Sequence, residues 1–203
     1  DGLKDVRLSD NFGNVPTVLF FFPAAFSSVC TEEMCEVSNG LATFQKSGAA
    51  VYGISVDMPF AQSGWAKAND IKVTLLSDFS KKTVAAYGLT LEDFAGLGAS
   101  SSQRAIVIID KDGVVRYVQV TPSPGDLPDL APAQAELAGL WAWAPSVGQR
   151  PHGLVNTGAR RGRRRGPRLP DSDPRPELSR GAHVVERVRD RKRHRRVGRP
   201  QCG

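Results

Sequence analysis

Three strand-length apolar runs constrain the fold of this chain more than anything else in it. They are residues 15–22 (VPTVLFFF), 51–56 (VYGISV) and 104–110 (RAIVIID). The first is apolar almost throughout and lacks the alternation of a half-exposed strand, so it fits a strand buried on both faces. Such strands need helices packed on each side. The stretches between them supply that pattern. Residues 31–46 (TEEMCEVSNGLATFQK) open on acidic side chains and place Met34, Val37, Leu41 and Phe44 on one helical face. Residues 59–69 predict a helix with proline in its first turn. Residues 80–87 predict a short helix ended by Gly88. A short strand is expected at 74–76. Lys111-Asp112-Gly113 is a hairpin signal leading into a last strand at 114–120. Strand and helix in alternation, followed by a hairpin, predict an α/β fold with a mixed, partly antiparallel sheet.

Composition divides the chain in two. Residues 1–149 hold 7 Lys, 3 Arg and 16 acidic residues, a net charge of −6. Residues 150–203 hold 1 Lys, 16 Arg and 5 acidic residues, a net charge of +12. All 15 aromatics lie at or before Trp143, and all three histidines (His152, His183, His194) lie in the basic part. The overall +6 therefore describes neither part, and each needs its own reading. After a Pro-rich loop, TPSPGDLPD, residues 131–144 predict one helix with Leu137, Leu140 and Trp141 on one side. Beyond Pro145 there is no aromatic and no sustained apolar period. That segment cannot bury enough surface to offset its ordering entropy, so a disordered tail is expected. The expected organisation is a folded domain over 1–130, a terminal helix and linker over 131–149, and an Arg-rich tail over 150–203. The tail reads as a spacer, as an interaction segment, or as non-native sequence such as a changed reading frame. A nucleic-acid-binding arm is disfavoured, because no aromatic is present to stack on bases.

No apolar stretch of about 18 residues exists, so no spanning helix is expected. No charged-then-apolar leader follows Asp1, and three cysteines are too few for a disulfide scaffold. A cytoplasmic protein is the expectation.

Cys30 is the most informative candidate for chemistry. It follows a buried strand and the turn PAAFSSV, and it is expected immediately before a helix. Free backbone N–H groups and the positive helix end there favour thiolate over thiol. The alternative is a small apolar residue filling a gap. The first 149 residues contain no histidine. Cys-His and Ser-His-Asp catalysis and the common zinc sites are excluded with it. Arg104, which starts a strand after the loop LGASSSQ, is the arginine best placed to reach a strand-end site.

The run FFPAAFSSVCTEEMC resembles the active-site segment of peroxiredoxins, whose pattern is Pro-x3-Thr/Ser-x2-Cys. Here that pattern falls on Pro23, Ser27 and Cys30. ISVDMPFAQSGWAKAN, LLSDFSKKTVAAYGL and SQRAIVIIDKDGVVRYV resemble later segments of the same family, in the same order. The likeness covers about residues 8–129. It implies a thioredoxin-like fold, with a central mixed sheet flanked by helices. It also implies thiol-dependent reduction of hydrogen peroxide or alkyl hydroperoxides, without metal or cofactor. By resemblance, Cys30 is the peroxidatic cysteine and Arg104 hydrogen-bonds its sulfur and the peroxide oxygens. Ser27 orients the peroxide through its hydroxyl, and Pro23 limits water access. Serine stands where threonine is commoner, so the methyl that restrains the rotamer is missing. A thioredoxin-like or other thiol serves as reductant, and a homodimer is a common assembly. The competing reading is a thioredoxin-fold binding module whose basic arm attaches to nucleic acid.

Cys35 follows Cys30 by five residues, as in the bacterioferritin-comigratory-protein type of peroxiredoxin, whose second cysteine resolves the sulfenic acid. Five helical residues rise about 7.5 Å and turn about 140°, beyond the usual disulfide Cα separation of at most about 7 Å. A Cys30–Cys35 bond therefore requires the first helical turns to unwind. The other reading packs Cys35 in the helix and leaves an external thiol to resolve Cys30. Cys202 and the tail histidines fit no ligand spacing and are expected to take no part.

Overall fold

The apolar runs form the centre of a seven-stranded sheet in the structure, a computed structural model. It describes residues 3–142, residues 182–184 and Cys202. The chain opens with β1 (Lys4–Val6) and a 3-10 turn (Leu8–Asn11). There follow β2 (Thr17–Phe21), α1 (Ser28–Lys46), β3 (Ala50–Ser55), α2 (Pro59–Asn69), β4 (Thr74–Ser77) and α3 (Lys82–Ala86). A two-residue pair, β5 (Thr90–Leu91) and β6 (Ser101–Ser102), precedes the hairpin of β7 (Ala105–Ile109) and β8 (Val115–Val120). Helix α4 (Leu130–Ala142) comes next, and β9 (Ala182–Val184) lies far along the chain.

The sheet order is β1-β9-β4-β3-β2-β7-β8. Strands β2, β3 and β4 are parallel, while β7, β8 and β9 add antiparallel pairs. The mixed sheet expected from the strand–helix alternation is present. Side-chain alternation assigns two cores. Val18, Phe20, Phe22, Ile106 and Ile108 pack with Met34, Val37 and Phe44 of α1, Trp65 of α2, and Ala133 and Leu137 of α4. Leu19, Phe21, Val107 and Ile109 face the other way, against Leu8, Val84 of α3 and Leu89. Both faces are covered, which is why β2 is apolar on both sides from Val18 to Phe21.

Helix α1 starts at Ser28, three residues before its expected start at Thr31. Ser27 has extended backbone and its carbonyl accepts the first helical bond, from the Thr31 N–H at 3.0 Å. Cys30 therefore sits inside the first turn rather than ahead of it. Helix α2 has the expected bounds, with Pro59 at its start and Asp70 in the left-handed region at its end. In the hairpin, Asp110 Oδ1 accepts the N–H groups of Asp112 and Val114 at 2.8 and 2.9 Å. Gly113 takes φ +80, where a Cβ would also strike the Phe12 ring.

Helix α4 begins one residue before the expected start. The side chain of Trp141, residues 143–149 and most of the expected tail lie outside the described residues. The side chains of the three histidines lie outside them as well. Two pieces of the tail are described. Ala182–Val184 pairs antiparallel with both β1 and β4, with His183 opposite Asp5 and Ser77. Cys202, set aside in the sequence reading, is buried and disulfide-bonded to Cys35, with Cα atoms 4.8 Å apart. The partners are 167 residues apart in sequence, a pairing no local spacing reveals. No helix among the described residues is long and apolar enough to cross a membrane.

Candidate active site

The loop between β2 and α1 is fixed from three directions. The Ser101 hydroxyl donates to the Pro23 carbonyl. Asp57, just after β3, accepts the Ala25 N–H on Oδ2 at 2.7 Å and the Ser55 hydroxyl at 2.8 Å. Ser27 Oγ donates to the Ala24 carbonyl at 3.0 Å. Phe26 is forced into the left-handed region at φ +65 and stands 61% exposed. A non-glycine residue is held there only when its surroundings over-determine the loop. The Asp57 platform is itself tied down. Gln62 Nε2 donates to Ser55 Oγ at 2.8 Å and to the Leu76 carbonyl at 3.0 Å, and Ser77 Oγ donates to the Asp57 carbonyl at 2.6 Å.

This loop delivers Cys30 to the first turn of α1, where its thiol is free and only 1% exposed. The turn is stapled by side chains. Thr31 Oγ1 donates to the Ser27 carbonyl at 2.7 Å, and buried Trp65 Nε1 donates to Thr31 Oγ1 at 3.1 Å.

Arg104 immediately precedes β7 and is 1% exposed. Its Nη2 donates to Cys30 Sγ at 3.3 Å and to the Pro124 carbonyl at 2.7 Å, while Nη1 donates to Glu33. Its Nε and Glu33 Oε1 are buried with no hydrogen-bond partner among the described residues. Three of the five guanidinium N–H groups are thus spent, and the Nε–H is the buried donor left without a partner. Glu33 follows Cys30 by three residues, so it emerges from α1 close to the same face. Burial pushes the Glu33 carboxyl up to about 7, against the opposing pull of Arg104. Burial opposes the Arg104 charge, but Glu33 and Cys30 outweigh it and hold the guanidinium above its ordinary value. One buried guanidinium thus donates to both the Glu33 carboxyl and the Cys30 sulfur.

The structure brings together Cys30 and Arg104, and sets Pro23 and Ser27 in the loop leading into the same helical turn. Pro23 is buried and Ser27 half-buried. Cys35, for which resolution of Cys30 is one of two readings, is bonded to Cys202, and α1 is continuous between Cys30 and Cys35. Sequence reasoning missed Glu33, Asp57, Ser101 and the Pro124 carbonyl. Glu33 alone had a readable signal, its one-turn spacing from Cys30.

Comparison with known proteins places this arrangement. Residues 1–118 match the model of the AhpC/TSA family. Peroxiredoxin-2 of Bos taurus is 33% identical over 128 residues, covering 60% of this chain and 61% of that one. The chloroplastic 2-Cys peroxiredoxin BAS1 of Hordeum vulgare is 31% identical over 120 residues, covering 56% and 55%. The chain spans about half the length of the curated relatives it matches. Among solved structures, peroxidoxin BcpB from Mycobacterium tuberculosis is similar at 29% identity and a TM-score of 0.55, covering 70% of this chain and 96% of that one. Reduced 2-Cys peroxiredoxin of Plasmodium vivax shares the fold at 23% identity and a TM-score of 0.60, covering 70% and 93%. With more than half of its residues inside the family match and a buried Cys–Arg pair at the β2–α1 junction, the chain belongs to the AhpC/TSA family, the peroxiredoxins.

Proposed function

We propose that this chain is a thiol peroxidase acting through Cys30 on hydrogen peroxide or alkyl hydroperoxides. The observation that carries the reading is the Arg104 Nη2 to Cys30 Sγ contact of 3.3 Å inside a buried site. The Cys30 thiolate attacks one peroxide oxygen, the S–O bond forms and the O–O bond breaks. The departing alkoxide or hydroxide takes a proton, leaving sulfenic acid on Cys30 and an alcohol or water. Arg104 faces the sulfur before attack, and its unpartnered Nε–H is available to charge moving onto the leaving oxygen. Preorganised donors in a dry site act most strongly where charge develops in the transition state. Ser27 offers its oxygen lone pairs to the peroxide, its proton being held by Ala24. Pro23 closes the loop beside the thiol without adding a competing donor. A thioredoxin-like or other thiol supplies the electrons, in a cytoplasmic setting, and a homodimer is compatible with the family.

Peroxide consumption with a thiol donor tests the reading. Cys30→Ser abolishes turnover. Arg104→Lys keeps a positive charge but not the forked donor, and lowers kcat/KM roughly 100-fold. Undiminished consumption by Cys30→Ser would refute the assignment.

A further inference from the structure

We propose that the Cys35–Cys202 disulfide is the oxidised product of turnover, so that oxidation passes from Cys30 through Cys35 to Cys202. This rests on Cys30 being the peroxidatic thiol. The chain has three cysteines, and the structure holds them in one specific state. Cys30 is free beside Arg104, while Cys35 on the same helix is bonded to Cys202.

Helix α1 sets the direction of transfer. A Cys30–Cys35 bond needs the first turn opened, because five helical residues rise about 7.5 Å. What closes that turn is local: the Thr31 to Ser27 bond and the Trp65 to Thr31 bond. The Cys35–Cys202 bond coexists with α1 unbroken from Ser28 to Lys46. Exchange from the first disulfide to the second therefore restores the helix and its staples. It also expels Cys30 as a thiolate facing Arg104, and a stabilised thiolate is the better leaving group.

The steps balance. Peroxide oxidises Cys30 to sulfenic acid, releasing alcohol or water. The Cys35 thiolate attacks Cys30 Sγ, the S–S bond forms, the S–O bond breaks, and hydroxide leaves to be protonated to water. The Cys202 thiolate then attacks Cys35 Sγ, forming Cys35–Cys202 and releasing the Cys30 thiolate. An external dithiol reduces Cys35–Cys202 by two electrons and is itself oxidised to a disulfide. Cys30 is thus ready for a second peroxide before the dithiol arrives.

The test uses the full chain, reduced, freed of reductant, given one equivalent of hydrogen peroxide, acid-quenched at intervals and mapped for disulfides. The wild type passes through Cys30–Cys35 and ends as Cys35–Cys202 with Cys30 free. Cys202→Ser stops at Cys30–Cys35. Cys30→Ser forms Cys35–Cys202 roughly 100-fold more slowly. Formation of that bond at the wild-type rate in Cys30→Ser overturns the relay. So does a wild type that keeps Cys30 sulfenic acid with Cys35 and Cys202 both free, although that outcome leaves the peroxidase reading standing. A wild type whose Cys30 never oxidises overturns both.

Discussion

Replacing Glu33 by glutamine should flatten the pH dependence of stability, because Glu33 is a carboxyl buried to 1% exposure whose proton affinity differs sharply between folded and unfolded chain. Burial, opposed by Arg104, raises it from 4.5 to about 7. Between those values the folded protein keeps a proton that the unfolded chain has lost. Stability from this group is fully present below 4.5 and is lost as pH rises through 7. At about 1.36 kcal/mol per unit, the loss amounts to about 3 kcal/mol. Glutamine keeps an Oε1 acceptor for Arg104 Nη1 and does not titrate. Urea denaturation with the Cys35–Cys202 disulfide intact, at pH 5 and pH 8, reads the difference. With a urea slope of about 1–3 kcal/mol/M, the wild-type midpoint should fall by roughly 1–3 M more than the variant's. Other groups titrate over the same range, so the comparison between the two proteins isolates Glu33. Parallel profiles for wild type and Glu33→Gln would refute the assignment of a protonated Glu33 to the folded state at pH 5–6.

Asp57 acts on the reaction only through the loop it holds. Asp57→Ala should lower peroxide kcat/KM about tenfold while leaving the rate of Cys30 alkylation unchanged, since alkylation does not need Ser27 and Ala25 in place. Asp57→Asn, which keeps an acceptor, should restore most of the peroxide rate, and equal losses in both assays would argue for general unfolding. Gly53→Ala tests the packing of β3 against α1. Its Cβ would lie 2.8 Å from Leu75 Cδ2 and 3.1 Å from Met34 Sδ. The crowding should cost about 1–3 kcal/mol in urea denaturation, and a neutral result would show that these two side chains relax freely.

The parts of the fold that were legible in the sequence are those whose cause is local. Strands β2, β3 and β7 follow from their apolar runs, and α2 from a proline start and a short apolar face. The start of α1 was misplaced because acidic side chains suggest a first turn, whereas Ser27 backbone geometry decides it. The same clue hid Glu33. An acidic residue near a helix start reads as a solvated partner of the helix dipole, yet this one points into the core and meets Arg104. Strands β1 and β9 are three residues each, too short to show a period. The Cys35–Cys202 bond depends on where residues 167 apart in sequence are brought in space. Cys30 and Arg104 stood out by position after a strand and before one, but family resemblance supplied their pairing, which distance along the chain conceals.

Charge shows why the site needs so little of the rest of the molecule. The first 149 residues carry −6 and the remainder +12, but the proposed substrate, a peroxide, is small and neutral and gains little from long-range steering. The field that matters is local. Arg104 is a buried cation facing Glu33 and Cys30, and burial pushes the Glu33 carboxyl up to about 7. When Glu33 holds its proton, the guanidinium charge is left to the Cys30 sulfur. When Glu33 loses it, the carboxylate competes with the sulfur for that one cation. The pair therefore sets how much of a fixed positive charge reaches the sulfur, independently of the net charge of either part of the chain. An acidic body around a buried Cys30–Arg104–Glu33 cluster is no contradiction, because the surface carboxylates are screened by solvent and these three side chains meet one another directly.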